Sequence, residues 1–153
     1  MSERRGAAVE AWEALFRAQV RVLQQLTKEF PETDISFNEY DVLFNLSKQD
    51  GHRLRIRDLS QHLLLTQPSV SRMVDRLVGK GLVSKESDPG DGRGTFVCLS
   101  ETGYSLFRRV AVAHADSIDR LIGAALTLDE LRQLTELTDR LRASVESASK
   151  SGR

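Results

Sequence analysis

Residues 67–80 present side chains that can hydrogen bond to phosphates and to the edges of bases. Apolar residues recur there at the spacing of one helix face, namely Val70, Met73, Val74 and Leu77. The opposite face then carries Gln67, Ser69, Ser71, Arg72, Asp75 and Arg76. Short hydroxyl and amide side chains at a helix N-terminus lie beside free backbone N–H groups, which favour anions. This face therefore predicts contact with a polyanion, and the alternative is an ordinary solvated helix face.

A further cationic side chain, Arg93, lies in a glycine-rich turn. Residues 87–94 contain three glycines, one proline and two aspartates, a composition typical of a flexible hairpin tip. Arg93 is the only basic residue in this run, so little obstructs its entry into a narrow minor groove, where the negative potential attracts arginine. Asp91 is close enough in sequence to orient it. For this run taken alone, the alternative is an ordinary turn.

Elsewhere in the sequence, no group of residues has catalytic or metal-binding spacing. His52, His62 and His114 are scattered, have no acidic or cysteine cluster beside them, and form no nucleophile–base set. A phosphate-binding loop is absent as well. We therefore expect no enzyme activity, no bound metal and no cofactor.

The single cysteine, Cys98, excludes an internal disulfide framework. Together with the lack of an apolar run long enough to span a membrane, this favours a cytoplasmic location. Cys98 falls in a predicted strand, which favours a small strand residue without a redox role. The alternative is an oxidant-sensing thiol, which would have to be exposed and to have a lowered pKa.

The elements that position these residues can be predicted from periodicity and capping patterns. Helices are predicted at 7–30, 37–48, 57–64, 67–80, 100–125 and 127–147, and short strands at 53–56, 82–86 and 95–99. Ser36 with Glu39, and Thr127 with Glu130, have the spacing of capping boxes, in which each side chain bonds the other's free backbone N–H. Thr66 is a third predicted N-cap. The second helix is expected to bury Tyr40, Leu43, Phe44 and Leu46.

The order of these elements predicts a fold that is mainly α with a small β-wing. In this interpretation residues 36–100 form a winged helix-turn-helix lobe within a single domain of 153 residues. One helix fits the DNA major groove, which is about 12 Å wide. The net charge of the chain is zero, but residues 53–93 contain eight basic and five acidic side chains, which supports a local contact with an anion.

The motifs of this central region resemble those of the MarR (multiple antibiotic resistance regulator) family. The resemblance is carried by residues 67–77, 81–83 and 88–89 and by the wing. The family's wing pattern is an Asp, one residue, an Arg, and a strand ending in Leu-Thr or Leu-Ser before a helix that contains a Gly. Asp91, Arg93, Leu99, Ser100 and Gly103 occupy those places. The order of the helices extends the resemblance over about residues 7–147.

The resemblance implies a homodimer that binds duplex DNA, with the helix 67–80 in the major groove and the wing in the neighbouring minor groove. It implies dimerisation through the helices of 7–30 and 101–147. The expected DNA contacts are Gln67, Ser69, Ser71, Arg72, Arg76 and Arg93, with Asp91 as the support of Arg93. Independently, the apolar stripes of the terminal helices are larger than one small lobe can cover. Two-fold symmetry would then require a palindromic site.

We therefore expect a transcriptional regulator, which by resemblance is a repressor released from DNA by a small phenolic or aromatic ligand. The candidate ligand residues are Trp12, Phe16, Phe37, Tyr40 and Phe44, for which core and dimer packing is the alternative. Two other functions remain open at this point. One is a redox-controlled or ligand-independent DNA-binding regulator, and the other is a winged-helix module that binds a protein instead of DNA. No membrane association is expected.

Overall fold

The structure is a computed structural model that describes residues 2–63 and 65–152. Its helices are α1 (Glu3–Lys28), α2 (Phe37–Ser47), α3 (Ile56–His62), α4 (Gln67–Gly79), α5 (Glu101–Ile118) and α6 (Leu128–Ser151). Its strands are β1 (Arg53–Arg55), β2 (Val83–Asp88) and β3 (Asp91–Leu99). A π-helical turn, Asp119–Gly123, follows α5. The mainly helical fold with a small β-wing is therefore confirmed, while Leu64, the last residue of the predicted third helix, lies outside the described residues.

The chain divides into two compact units. The larger unit contains Thr27–His114, and the second unit contains the two chain ends, up to Leu26 and from Ala115. All the candidate DNA contacts lie in the larger unit. None of the described helices is long and apolar enough to cross a membrane.

Helix α2 begins at the predicted capping box. The backbone N–H of Glu39 donates to Ser36 Oγ at 3.2 Å, and the N–H of Ser36 donates to Glu39 Oε2 at 3.2 Å. The helix buries Tyr40, Val42, Leu43 and Leu46. The expectation that Phe44 is buried is wrong, because this side chain is 38% exposed. Val42, which follows a charged residue in the sequence, takes the inward position instead.

The hydrophobic core belongs to the larger unit. Helix α4 contributes the four predicted residues Val70, Met73, Val74 and Leu77, all of them buried. They pack with residues of α2, α3, β2, β3 and α5, including Leu59, Val97 and Val110. Because one face of α4 is fixed in this core, the direction of its opposite face is fixed as well.

The three strands form an antiparallel sheet in the order β1-β3-β2. Residue Phe96 of β3 pairs with Arg55 on one side and Glu86 on the other. Strands β2 and β3 extend further toward the tip than predicted, so that only Pro89 and Gly90 separate them. The prediction of an eight-residue flexible tip is therefore wrong, because Asp88 contacts both Arg55 and the backbone N–H of Gly90 and so holds the chain in a tight turn.

The base of the wing is joined closely to the start of α5. Ser100 caps the helix by accepting from the N–H of Gly103 at 3.0 Å, and its hydroxyl donates to the carbonyl of Gly81 at 2.7 Å. Gly81 has a φ of 70°, in the region that favours glycine. A Cβ at Gly103 would overlap the carbonyl oxygen of Leu82. The glycine of the family pattern is thus required by a close helix–backbone approach.

The second unit exposes many apolar side chains. Exposed residues on its helices include Val9, Trp12, Phe16, Leu134, Leu137, Leu141 and Val145. Within this unit, α1, the segment that follows α5, and α6 line a groove of about 850 Å³. Leu15, Leu121 and Leu134 are among the side chains that make the groove mostly apolar. A single chain therefore leaves a large apolar surface uncovered in this unit.

Candidate nucleic-acid interface

Helix α4 begins with the predicted cap and directs polar residues outward. Thr66 Oγ1 accepts from the backbone N–H of Ser69 at 3.4 Å, and Pro68 occupies the first turn. Gln67 and Arg72 are exposed, whereas Ser69 and Ser71 are half-buried. The positive end of the helix dipole and these polar side chains therefore lie at the same end of α4.

The start of α4 and the wing line one cleft of about 560 Å³. Gln67 and Ser71 lie on its helical side, and Asp91 and Arg93 lie on its wing side. Four of the seven predicted contact residues are thus brought together. The surface between them is open and contains both cations and hydrogen-bond donors, which are the groups that bind phosphate oxygens.

Arg72 lies on the exposed side of α4, outside the residues that line the cleft. Its Nη2 donates to Ser69 Oγ at 3.4 Å, and Ser69 also accepts from the hydroxyl of Thr66 at 3.0 Å. Ser69 therefore uses part of its hydrogen-bonding capacity within the helix cap. Arg72 keeps most of its five N–H donors available for an external acceptor.

Arg76 is held by a buried carboxylate on α2. Its Nε lies 3.4 Å from Glu39 Oε1, and Lys80 Nζ lies 2.9 Å from Glu39 Oε2. The side chain of Glu39 is only 6% exposed, while that of Arg76 is 57% exposed. Burial alone would raise the pKa of Glu39, but the hydrogen bonds from Lys80, Ser36 and Arg76 lower it on balance. Glu39 thus stays ionised and ties α4 to α2.

A second buried carboxylate, Asp88, fixes the wing. Its Oδ1 accepts from the N–H of Gly90 at 2.9 Å, and its Oδ2 lies 2.7 Å from Arg55 Nε. The latter contact is an ion pair without the alignment of a hydrogen bond. Arg55 also lies over the ring of Phe96, with its guanidinium carbon 5.5 Å from the centroid. These contacts hold the two-residue tip against β1.

Arg93 projects from the exposed part of β3. Its backbone N–H donates to Asp91 Oδ1 at 3.1 Å, so Asp91 supports the main chain of Arg93. Within residues 2–63 and 65–152, no carboxylate forms an ion pair with the Arg93 side chain. The guanidinium is therefore available to an external anion.

Three charged residues near this interface escaped sequence analysis. Arg55 and Arg57 line the cleft on the side of β1 and α3, and Asp88 anchors the wing. The alternating arginines at 53, 55 and 57 were a signal for a basic edge, but alternation alone does not show which of them meets the wing. The pairing of β1 with β3 supplies that information.

The aromatic residues predicted to bind a ligand fall in both units. In the larger unit, Phe37 and Tyr40 surround His114, with ring centroids 5.6 Å and 5.2 Å from the imidazole, and burial lowers the pKa of His114. Phe44 lies beside Phe107 at 6.3 Å. In the second unit, Trp12 and Phe16 pair at 5.7 Å and are exposed. The ligand cavity itself stays a prediction.

Cys98 lies in β3 and is half-buried. Burial raises the pKa of its thiol, and the nearby carboxylate of Glu86 raises it further. A raised pKa keeps the thiol protonated, and the thiolate is the form that oxidants attack. The environment of Cys98 therefore favours a strand residue without a redox role over an oxidant-sensing thiol.

Comparison with known proteins agrees with this architecture. A family model described as MarR family matches residues 33–94. The transcriptional regulator MhqR of Bacillus subtilis (strain 168) is 28% identical over 127 residues, covering 83% of this chain and 86% of that protein.

Two solved structures share the fold and retain part of the sequence. Sco3205, a MarR family transcriptional regulator from Streptomyces coelicolor solved in complex with DNA, is 26% identical with a TM-score of 0.74, covering 88% of this chain and 84% of that one. The PcaV transcriptional regulator from the same organism, solved with its natural ligand, is 26% identical with a TM-score of 0.65. The match covers 86% of this chain and 90% of that one. The matched region and these structures lead to one conclusion: residues 33–94 match the MarR family, and the chain is similar in sequence and fold to MarR family transcriptional regulators.

Proposed function

We propose that this protein binds duplex DNA as a homodimer and regulates transcription, as a repressor. The observation that carries the proposal is the cleft where the polar start of α4 and the free guanidinium of Arg93 face the same open surface. A helix of this kind fits the major groove, and an arginine on a narrow wing fits the adjacent minor groove. The DNA complex of Sco3205 supports the same use of the fold in a relative. DNA as partner makes the cytoplasm the expected location.

The homodimer follows from the uncovered surface of the second unit. Side chains such as Trp12, Phe16 and Leu141 are each more than half exposed, which a soluble monomer rarely tolerates over a continuous area. A second copy of the chain offers the same surface and can cover it in a two-fold arrangement. The dimer would then present two copies of α4 to a palindromic site, with half-sites about one helical turn apart.

The repressor role and release by a small aromatic ligand rest on the family and on the aromatic residues of the chain. PcaV was solved with its natural ligand, which supports ligand control in a transcriptional regulator of the same fold. In this chain Phe37, Tyr40 and His114 form an aromatic cluster beside the start of α2, and α2 is joined to α4 through Glu39. A ligand that displaced α2 would thereby move the DNA-contacting helix. Redox control by Cys98 is the weaker alternative, because the pKa of its thiol is raised.

The proposal is tested by selecting binding sites from a random duplex library with the purified protein. We expect enrichment of an inverted repeat and an affinity in the range of roughly 10⁻⁸–10⁻¹¹ M that is typical of specific sites. A panel of phenolic and aromatic acids then tests release in a gel-shift titration. Failure to enrich any sequence, together with no salt-dependent binding to duplex DNA, would rule out the DNA-binding function and leave a protein-interaction module.

A further inference from the structure

The cleft between α4 and the wing contains more positive charge than the predicted contacts supply. Arg55 and Arg57 join Arg93 around it, and Asp91 is the one acidic side chain among its lining residues. The positive end of the α4 dipole adds to the same field. Only a guanidinium that is not already paired within the protein can bind a ligand there.

Arg55 is already engaged within the protein. Its Nε lies 2.7 Å from the buried carboxylate of Asp88, and its guanidinium lies over Phe96. Removing Arg55 from Asp88 would leave a carboxylate that is only 4% exposed without a cation beside it. Such an uncompensated buried charge is strongly unfavourable. Arg55 therefore forms part of the wall of the cleft and positions the wing.

Arg57 is only weakly paired within the protein, and Arg93 is unpaired among the described residues. The nearest acid to Arg57 is its neighbour Asp58, whose Oδ1 lies 3.9 Å from Nε, and both side chains are well exposed. An exposed pair at that distance contributes little and is easily replaced. Among the residues that the structure describes, Arg93 has no carboxylate within ion-pairing distance. Two available guanidiniums thus line one cleft, one from α3 and one from the wing.

We propose that Arg57 and Arg93 bind one phosphodiester group of the DNA backbone in this cleft, at the edge of the minor groove that the wing enters, with the hydroxyl of Ser71 at its helical side. The guanidinium fork matches the geometry of phosphate oxygens, and such charge-assisted contacts are short and strong. A phosphate held here would set the register of α4 in the groove and the entry angle of the wing at the same time. The inference rests on the proposed DNA binding and adds to it a site that joins α3 to the wing.

The test uses the full-length protein and a duplex obtained by site selection. Single methylphosphonate linkages, which remove the charge of one phosphate, are placed in turn along the duplex. We expect one linkage in each half-site that lowers wild-type affinity by roughly tenfold, the value of one charge-assisted contact. Each variant, Arg57→Gln or Arg93→Gln, should bind the duplex modified at that linkage as tightly as it binds the unmodified duplex. The salt slope of binding to the unmodified duplex should fall by about 1 for each variant.

Arg108→Gln is the matched control, because Arg108 is exposed on α5 and does not line the cleft. It changes the net charge equally and should keep the full response to every methylphosphonate. Circular dichroism melting verifies that all variants are folded. The proposal would be overturned if each methylphosphonate lowered the affinity of Arg57→Gln by the same factor as it lowers that of the wild type. Coupling of Arg57 and Arg93 to two different phosphates would overturn it as well.

Inorganic phosphate distinguishes the DNA backbone from a free anion as the occupant. It is titrated into the protein–DNA complex at constant ionic strength, with chloride as the reference. We expect no more release by phosphate than by chloride. Release at low millimolar phosphate that is absent in Arg57→Gln would assign the cleft to free phosphate and overturn the DNA assignment. If the wild type binds no duplex, the proposed function fails; if it binds and the variants behave as it does, only this inference fails.

Discussion

Arg76 and Arg93 were predicted for the same role, and the protein holds them in different ways. Arg76 is drawn toward Glu39, so part of its charge is satisfied before any ligand arrives. Arg93 has only its backbone fixed, by Asp91, and its side chain is exposed. On this basis Arg93 is the stronger candidate for a direct contact, and Arg76 contributes by holding α4 in place as well as by its charge.

The first prediction concerns the wing arginine. Arg93→Ala is expected to weaken binding to a selected duplex by about 1–3 kcal/mol, because a good guanidinium contact with DNA has that value. Gel-shift titration at fixed salt measures the change. Arg108→Ala serves as the charge-matched control and is expected to stay near wild type. Equal affinity of Arg93→Ala and wild type would exclude the wing from the interface.

At the scale of elements, capping and periodicity made most of the fold predictable. The boxes at Ser36 and Thr127 both form as expected, and α4 starts at the predicted cap. Prediction failed where long-range contacts decide the outcome. Val42 is buried in the core where Phe44 was expected, and the wing strands are longer than predicted at the point where Asp88 contacts Arg55. Neither outcome can be predicted from the spacing of residues along the sequence.

Long-range contacts also limited what the sequence could predict about the candidate nucleic-acid interface. Periodicity identified the outward face of α4, and glycine content identified the turn near Arg93. The contributions of Arg57 from α3 and of Glu39 from α2 depend on how these helices pack, which no spacing within a single helix reports. The sequence therefore predicts which polar side chains a helix exposes better than the contacts that hold that helix in place.

The second prediction tests the link between α2 and α4. Glu39→Gln removes the ion pairs with Arg76 and Lys80 but keeps an oxygen for the N–H of Ser36. We expect a loss of about 1–2 kcal/mol at pH 7, near the low end for hydrogen bonds to charged groups, since both cations remain partly hydrated. Urea unfolding at several pH values measures it.

The pH dependence of this difference has a definite sign. The pKa of Glu39 in the folded protein lies below its ordinary value of 4.5, so ionised Glu39 contributes stability above that pH. That contribution disappears as the pH falls from 4.5 through the folded-state pKa. The gap between wild type and Glu39→Gln should therefore close in acid. A gap that stays the same from neutral pH down to strongly acidic pH would contradict an ionic role for Glu39.

The third prediction concerns the joint between the wing and α5. Gly103→Ala would force a Cβ into the carbonyl oxygen of Leu82, and we expect a loss of about 1–3 kcal/mol or more in unfolding free energy, as for other overpacked sites. Gly79→Ala is the matched control, because a Cβ at Gly79 meets nothing within 4 Å. It should be neutral or stabilising by about 0.4–1 kcal/mol. Equal melting temperatures for the two variants would refute the close approach.

At the scale of the whole molecule, the two units differ in the surfaces they present. The larger unit has a complete core and a charged outer face, whereas the second unit exposes apolar residues along α1 and α6. The first arrangement fits a polyanion and the second fits another protein surface. Such a division allows binding of DNA to depend on assembly of the dimer.

The fourth prediction tests that dependence. Leu134 is 42% exposed and lines the apolar groove of the second unit, so Leu134→Lys is expected to convert the dimer to monomer at micromolar concentration, as measured by light scattering. Affinity for a palindromic duplex should fall with it. Gln133→Lys adds the same charge one residue away, outside the groove lining, and should remain dimeric. A wild type that is monomeric at this concentration would count against the proposed assembly.

The short tip of the wing has a thermodynamic consequence for recognition. With only two residues between paired strands, and with Asp88 holding the turn against Arg55, the hairpin is already ordered in the free protein. Ordering a flexible loop on association reduces affinity through lost conformational entropy, and a preorganised one avoids much of that loss. Loosening the turn at Asp88 should therefore lower the affinity for DNA even though no group proposed to touch DNA has been altered.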